Sequence, residues 1–150
     1  MAHQKPGESV VIHAAAGGVG VIAIQLAKMW GAKVIAVASS QEKRDLALSL
    51  GADVAVDAND PDLKSAIIAA NGGKRVDIVL EMVGGQTFDK SLESLAHFGR
   101  LITYGMASRV APTAVAPGAL MVGTKTVSGF WLSHCFAKPE LFHNVIAELF

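Results

Sequence analysis

Apolar runs of strand length alternate along this chain with stretches whose apolar residues recur at helical spacing. That alternation predicts βαβ units around a parallel sheet. Ser9–Ala14 reads as the first strand, and a glycine-rich turn follows at once. Val19, Ile22, Ala23, Leu26, Ala27 and Trp30 then fall at helical spacing, giving a helix that ends at Gly31. Lys33–Ala38 is almost wholly apolar, as a strand buried on both faces should be. Ser39 and Glu42 have capping-box spacing for a helix that runs to Leu50 and stops at Gly51. Val54–Asp57 reads as a third strand. Asp60-Pro61 opens a helix to about Asn71, Val76–Leu80 is a fourth strand, and Gly84-Gly85 is a turn. Phe88, Leu92 and Leu95 mark another helix face before a fifth strand at Gly99–Tyr104. From Met106 to Lys125 the periodicity fails, and Pro112, Pro117, Gly118 and Gly123 predict loop with one helical turn. A sixth strand is expected near Thr126–Trp131, and Lys138–Phe150 reads as an amphipathic helix with Leu141, Phe142, Val145, Ile146 and Leu149 on one face. The count fits an α/β, doubly wound Rossmann sheet of order 3-2-1-4-5-6 with helices on both faces.

Composition narrows the functional classes. With 150 residues, 51% of them hydrophobic, the chain has enough apolar material for one compact domain and is not disordered. Its 13 basic residues balance its 13 acidic ones, so charge gives no reason to expect nucleic acid or a membrane surface as partner. No run of about 18 apolar residues suggests a membrane span. Cys135 is the single cysteine, which excludes an internal disulfide framework and makes a cytoplasmic setting the expectation. The last helix stops without a C-cap, so the whole chain, residues 1–150, is read as a cofactor-binding domain cut from a longer enzyme whose catalytic domain lies elsewhere.

The candidate chemistry lies first in Ala14-Ala15-Ala16-Gly17-Gly18-Val19-Gly20. Here Ala15-x-Gly17-x-x-Gly20 replaces the first glycine of the dinucleotide fingerprint with alanine, in a turn that is expected to be slightly wider. The turn still follows a strand directly and opens an amphipathic helix. Gly17 allows the backbone close to a diphosphate, and Gly20 allows the helix to pack tightly on the strand. Unpaired N–H groups from about Gly18 to Val21 would meet the anion at the positive end of the helix dipole.

The run Pro6-Gly7-Glu8-Ser9-Val10-Val11-Ile12-His13-Ala14-Ala15-Ala16-Gly17-Gly18-Val19-Gly20 resembles the medium-chain dehydrogenase/reductase superfamily, in particular its quinone reductase (zeta-crystallin-like) branch and the enoyl reductases of polyketide synthases. The resemblance continues through Glu42-Lys43-Arg44, Leu50-Gly51-Ala52-Asp53, Val76-Asp77-Ile78-Val79, Val83-Gly84-Gly85 and Gly99-Arg100-Leu101. It implies an oxidoreductase that transfers hydride from a nicotinamide cofactor to a small activated acceptor: a quinone, an enone or an enoyl thioester.

The choice of cofactor depends on residues beyond the turn. Sites that prefer NADH usually end the second strand in a carboxylate that binds the ribose 2′-hydroxyl. This chain has Ala38-Ser39-Ser40 there, with Lys43 and Arg44 one helical turn later, a set that favours the 2′-phosphate of NADPH. In similar NADPH-dependent reductases the residues matching Ser39 and Lys43 contact that phosphate. Two features weigh toward NADH as the alternative: Glu42 adds negative charge nearby, and Ala58 stands where relatives often carry a tyrosine. Ser39 is also open to the simpler role of helix cap.

The nicotinamide half should meet the carboxyl ends of the fourth to sixth strands. That assigns it to Met82, Val83 and Gly84, to Tyr104, Gly105 and Met106, and to Phe130, Trp131 and Leu132, segments that wall this end of the cleft in similar reductases. Gly105 is the best of these, because a strand-end glycine permits close ligand approach.

No catalytic residue emerges. Asp57, Asp77 and Glu81 fit structural hydrogen bonding better than acid–base work. Tyr104 lacks a lysine four residues on, since Ser108 stands there, and no GxxxxGK[ST] or HExxH occurs. The scattered histidines provide no metal site in this chain. Competing readings are the cofactor domain of a zinc-dependent alcohol dehydrogenase, a non-catalytic NADPH-binding module, and an S-adenosylmethionine methyltransferase, the last disfavoured because no acidic residue ends the second strand. The apolar edge Thr126–Leu132 is a candidate homodimer interface.

Overall fold

The computed structural model describes residues 2–140. Six strands form one parallel sheet: β1 (Ser9–His13), β2 (Lys33–Ala38), β3 (Val54–Asp57), β4 (Val76–Glu81), β5 (Leu95–Thr103) and β6 (Thr126–Gly129). Their order is β3-β2-β1-β4-β5-β6, the doubly wound arrangement that the element count predicts, with its switch point between β1 and β4. All five residues of β1 and the last five of β2 are buried, as central parallel strands require.

The apolar side chains divide between the two faces of the sheet. Val10, Ile12, Val34, Ala36 and Ile78 pack with Ile24 and Ala27 of α1 (Gly18–Met29) and Ala47 of α2 (Gln41–Ser49). On the opposite face Val11, Ile35, Val37, Val79 and Leu101 meet Leu63 and Ile67 of α3 (Leu63–Ala70) and Phe88 of α4 (Gly85–Ser94). Strand alternation sends neighbouring residues to opposite cores. Three hydrogen bonds join β1 to β4 at their start: the N–H and Oγ of Ser9 both donate to Asp77 at 2.8 Å, and Asp77 N–H donates to Ser9 Oγ at 3.0 Å. Asp77 is thus a structural group.

Both glycine helix stops hold. After α1, Gly31 N–H donates to Lys28 and Ala32 N–H to Ala27; after α2, Gly51 donates to Leu48 and Ala52 to Ala47. Gly31 and Gly51 carry the positive φ, 78° and 107°, that this double-bonded ending demands.

Several boundaries move. Asp60 does not cap α3: its Oδ1 accepts from Asp62 N–H, and Asp62 in turn accepts from Ser65 N–H, so the cap lies two residues later. Leu95 begins β5 rather than ending α4, and β6 stops at Gly129. Where loop with one turn was expected, α5 spans Pro117–Gly123, started by its first-turn proline. The helix expected from Lys138 begins at the edge of the described residues, and Leu141–Phe150 lie outside them. The periodic face of α1 is also offset. It buries Gly20, Ile24 and Ala27, while Val19, Ile22 and Trp30 remain more than half exposed, because the helix side nearest the sheet is the one where Gly20 allows contact.

Candidate functional site

The turn after β1 is held from both sides. Ala15 N–H donates to Val37 of β2 at 3.1 Å, and Gly17 N–H closes the turn onto Ala14 at 2.8 Å. Alanine serves at position 15 because the left-handed residue is its neighbour, Ala14, with φ 49°. Ala15 itself is wholly buried in the core, so it shapes the turn and presents no surface to a ligand. Gly20 is a packing glycine, since a Cβ there would lie 2.6 Å from the carbonyl oxygens of Ala14 and Ala15. Gly18 faces open space, with nothing within 4 Å of an added Cβ. Val21 N–H donates to Gly17 at 3.0 Å, which removes it from the expected anion-binding set. Among the described residues, the N–H groups of Gly18, Val19 and Gly20 have no backbone acceptor. Three orphan donors at the positive end of a twelve-residue helix form a ready anion site.

At the end of β2 the two serines separate in role. Ser40, not Ser39, is the N-cap of α2, its Oγ accepting from Lys43 N–H at 3.3 Å. Ser40 therefore holds the helix and is not among the cleft-lining residues, whereas Ser39 is left open to the cleft. The two cations separate likewise. Arg44 binds Asp57 at 3.0 Å and the Ala38 carbonyl at 3.1 Å, so its charge is already used. Lys43 is exposed and makes no side-chain hydrogen bond or ion pair among the described residues. The Asn59 backbone N–H, followed by Arg44, holds the Asp57 carboxyl below its ordinary range. Asp57 is a structural anion.

These elements enclose a cleft of about 460 Å³ at the carboxyl ends of the strands. Gly17, Ser39, Lys43 and Val83 line it, joined by His13, Asn59 and Thr87, and no carboxylate does. The volume is within the range of small-molecule sites, and the lone charge on its wall is positive.

At the far end the loops after β4 and β5 pack against each other. Gly105 accommodates Met82, whose carbonyl would lie 3.1 Å from an added Cβ, and Gly84 accommodates Met106. Both glycines let the loops after β4 and β5 approach each other closely. Ala107 and Ser108 N–H groups donate to Met82 and Val83 carbonyls, both at 2.9 Å, and zip those loops together. Beneath them the buried Glu81 accepts from Val83 N–H at 2.6 Å and Gly84 N–H at 2.9 Å through one carboxylate oxygen. Burial raises its pKa against those bonds, and burial with the Glu81 charge raises that of Tyr104. Phe130 and Leu132 are 37% and 55% exposed and are not part of the enclosed cleft.

Sequence reasoning missed His13, Asn59 and Thr87. Asn59 Nδ2 donates to the Ser39 carbonyl at 3.0 Å, fastening the β3 end to the β2 end. His13 stands within the run that carries the family resemblance but nothing local marks it as a site residue, and only folding places Ser91 of α4 beside it. Among the described residues no three His, Cys, Asp or Glu side chains converge as metal donors.

Residues 18–150 match the family model described as zinc-binding dehydrogenase. The chain is 40% identical over 104 residues to quinone oxidoreductase 1 of Escherichia coli (strain K12), covering 69% of this chain and 32% of that protein. It is 41% identical over 107 residues to 2-haloacrylate reductase of a Burkholderia species, covering 71% and 32%. The chain thus spans about a third of the length of these two relatives. Among solved structures, Escherichia coli quinone oxidoreductase complexed with NADPH superposes with a TM-score of 0.86 at 35% identity, over 98% of this chain and 45% of that one.

Proposed function

The chain belongs to the zinc-binding dehydrogenase family of medium-chain oxidoreductases, and from that premise we propose that it is the NADPH-binding domain of a quinone, enone or enoyl-thioester reductase. The observation that carries the reading is the pairing of two unused elements at one cleft. The glycine turn, which lines the cleft through Ala14, Ala16 and Gly17, offers three N–H groups with no backbone acceptor among the described residues, and Lys43 offers a cation with no side-chain partner among them beside Ser39. An anion at each end, with no carboxylate between them, is the charge pattern of a dinucleotide bearing a 2′-phosphate.

In this reading Gly18, Val19 and Gly20 bind the pyrophosphate through backbone donors, and Ser39 and Lys43 bind the 2′-phosphate. Val83, held by Glu81, supports the bound cofactor on the β4 side. When bound, the nicotinamide supplies the hydride; the residues here fix its position and its selectivity. The acceptor site belongs to a catalytic domain outside these 150 residues, a reading supported by the span of the relatives. A homodimer joined through β6, the outer strand of the sheet, is part of the same proposal. The lone Cys135 favours a reducing, cytoplasmic setting.

Calorimetric titration of the chain with NADPH, NADH and S-adenosylmethionine tests this. We expect NADPH to bind tightly, NADH at least tenfold more weakly, as loss of about 1.4 kcal/mol implies, and S-adenosylmethionine not at all. Equal affinity for NADPH and NADH would overturn the assignment of the 2′-phosphate.

A further inference from the structure

His13 is the last residue of β1, 1% exposed, and borders the cleft beneath the glycine turn. Its Nε2 lies 2.8 Å from Ser91 Oγ, and that hydroxyl also lies 2.7 Å from the Thr87 carbonyl oxygen. A carbonyl can only accept, so the single Ser91 proton points at Thr87. Ser91 must then accept from His13, which fixes the ring proton on Nε2. Nδ1 is left with a bare lone pair and no hydrogen-bond partner among the described residues, and His13 is one of the residues that line the cleft. Burial pushes the ring's pKa down to about 4, which keeps the ring neutral near pH 7.

We propose that His13 Nδ1 is the hydrogen-bond acceptor for a donor on the adenosine half of the bound dinucleotide, a ribose hydroxyl or the adenine amine. This rests on the NADPH reading above. Phosphates at neutral pH offer acceptors only, so the glycine-turn donors serve them and leave the ligand's own donors unmatched. The lining of this cleft holds the ends of β2 and β3, Ser39 and Asn59 included, which is where the adenosine half belongs. Within that lining the ring nitrogen is an acceptor held in one tautomer by Ser91, and Thr87 and Ser91 act as positioning residues through it.

Two substitutions separate this from a packing role. His13→Phe keeps a buried ring and removes the acceptor; His13→Asn gives up ring volume and the Ser91 contact but puts an amide oxygen near the Nδ1 position. Affinity for NADPH and for 2′,5′-ADP, measured by calorimetry, should fall about tenfold in His13→Phe, the scale of one lost hydrogen bond, and less in His13→Asn. Melting temperatures should run the other way, with His13→Phe the more stable. Wild-type affinity in His13→Phe would overturn the proposal, as would a loss seen with NADPH but not with 2′,5′-ADP. If His13→Asn does not fold, the His13→Phe result decides alone. Failure of wild type to bind either ligand would instead refute the NADPH reading itself.

Discussion

Replacing Gly20 with alanine isolates what the turn does mechanically. The new Cβ would sit 2.6 Å from two carbonyl oxygens and 2.7 Å from a carbonyl carbon, all backbone atoms of Ala14 and Ala15. Ordinary contact begins near 3.4 Å, so α1 must retreat by about 0.8 Å, and no side chain can give way instead. Overpacking of this kind costs about 1–3 kcal/mol, and three backbone contacts put it at the upper end. Helix propensity returns about 1 kcal/mol for glycine to alanine. The net is a loss of about 2 kcal/mol, or a fall in melting temperature of about 4–8 °C for a chain of this size. Gly18→Ala is the control. Its Cβ meets nothing, so stability should stay within about 0.5 kcal/mol. Because Gly18 faces the space assigned to the pyrophosphate, its NADPH affinity should still drop. Thermal melts by circular dichroism with parallel NADPH fluorescence titrations read both effects. A Gly20→Ala chain as stable as wild type would refute the close-contact argument.

Lys43→Ala should weaken NADPH about 10- to 50-fold, the value of a charge-assisted hydrogen bond discounted for exposure, and leave NADH within about twofold; fluorescence titration at low and high salt reads this, with the difference shrinking as salt rises. Glu81→Gln keeps an oxygen for Val83 and Gly84 and removes a buried charge whose pKa burial has raised. The folded chain therefore binds a proton there more readily than the unfolded one, so wild-type stability contributed by this group falls as pH rises from about the ordinary carboxyl value of 4.5. Melting curves should show Glu81→Gln gaining on wild type from pH 5 to pH 8; a gain that is largest at low pH contradicts the sign.

The strand order was legible because six apolar runs and their helices admit few arrangements, and the two glycine stops marked helix ends through a backbone requirement peculiar to glycine. Local capping was harder to read. Ser39 and Ser40 both suit an N-cap, and Asp60 and Asp62 likewise, since the choice depends on where the incoming strand releases the chain. Gly105 reads as a strand-end glycine that permits close approach, but its close protein neighbour, Met82, is far enough away in sequence to be invisible to any local pattern. The same limit hid His13, whose fixed tautomer depends on Ser91, 78 residues later. Lys43 and Arg44 look equivalent in sequence; only the fold brings Asp57 to Arg44 and leaves Lys43 with no ion pair among the described residues.

Nuclear magnetic resonance on the ¹⁵N-labelled chain tests the central claim at the atoms that carry it. On addition of NADPH the amides of Gly18, Val19 and Gly20 should shift most, because they gain an acceptor they lack in the free chain. Ser39 and Lys43 should follow with NADPH and far less with NADH. Saturating NADPH that leaves the Gly18–Gly20 amides unmoved while others shift would contradict the account.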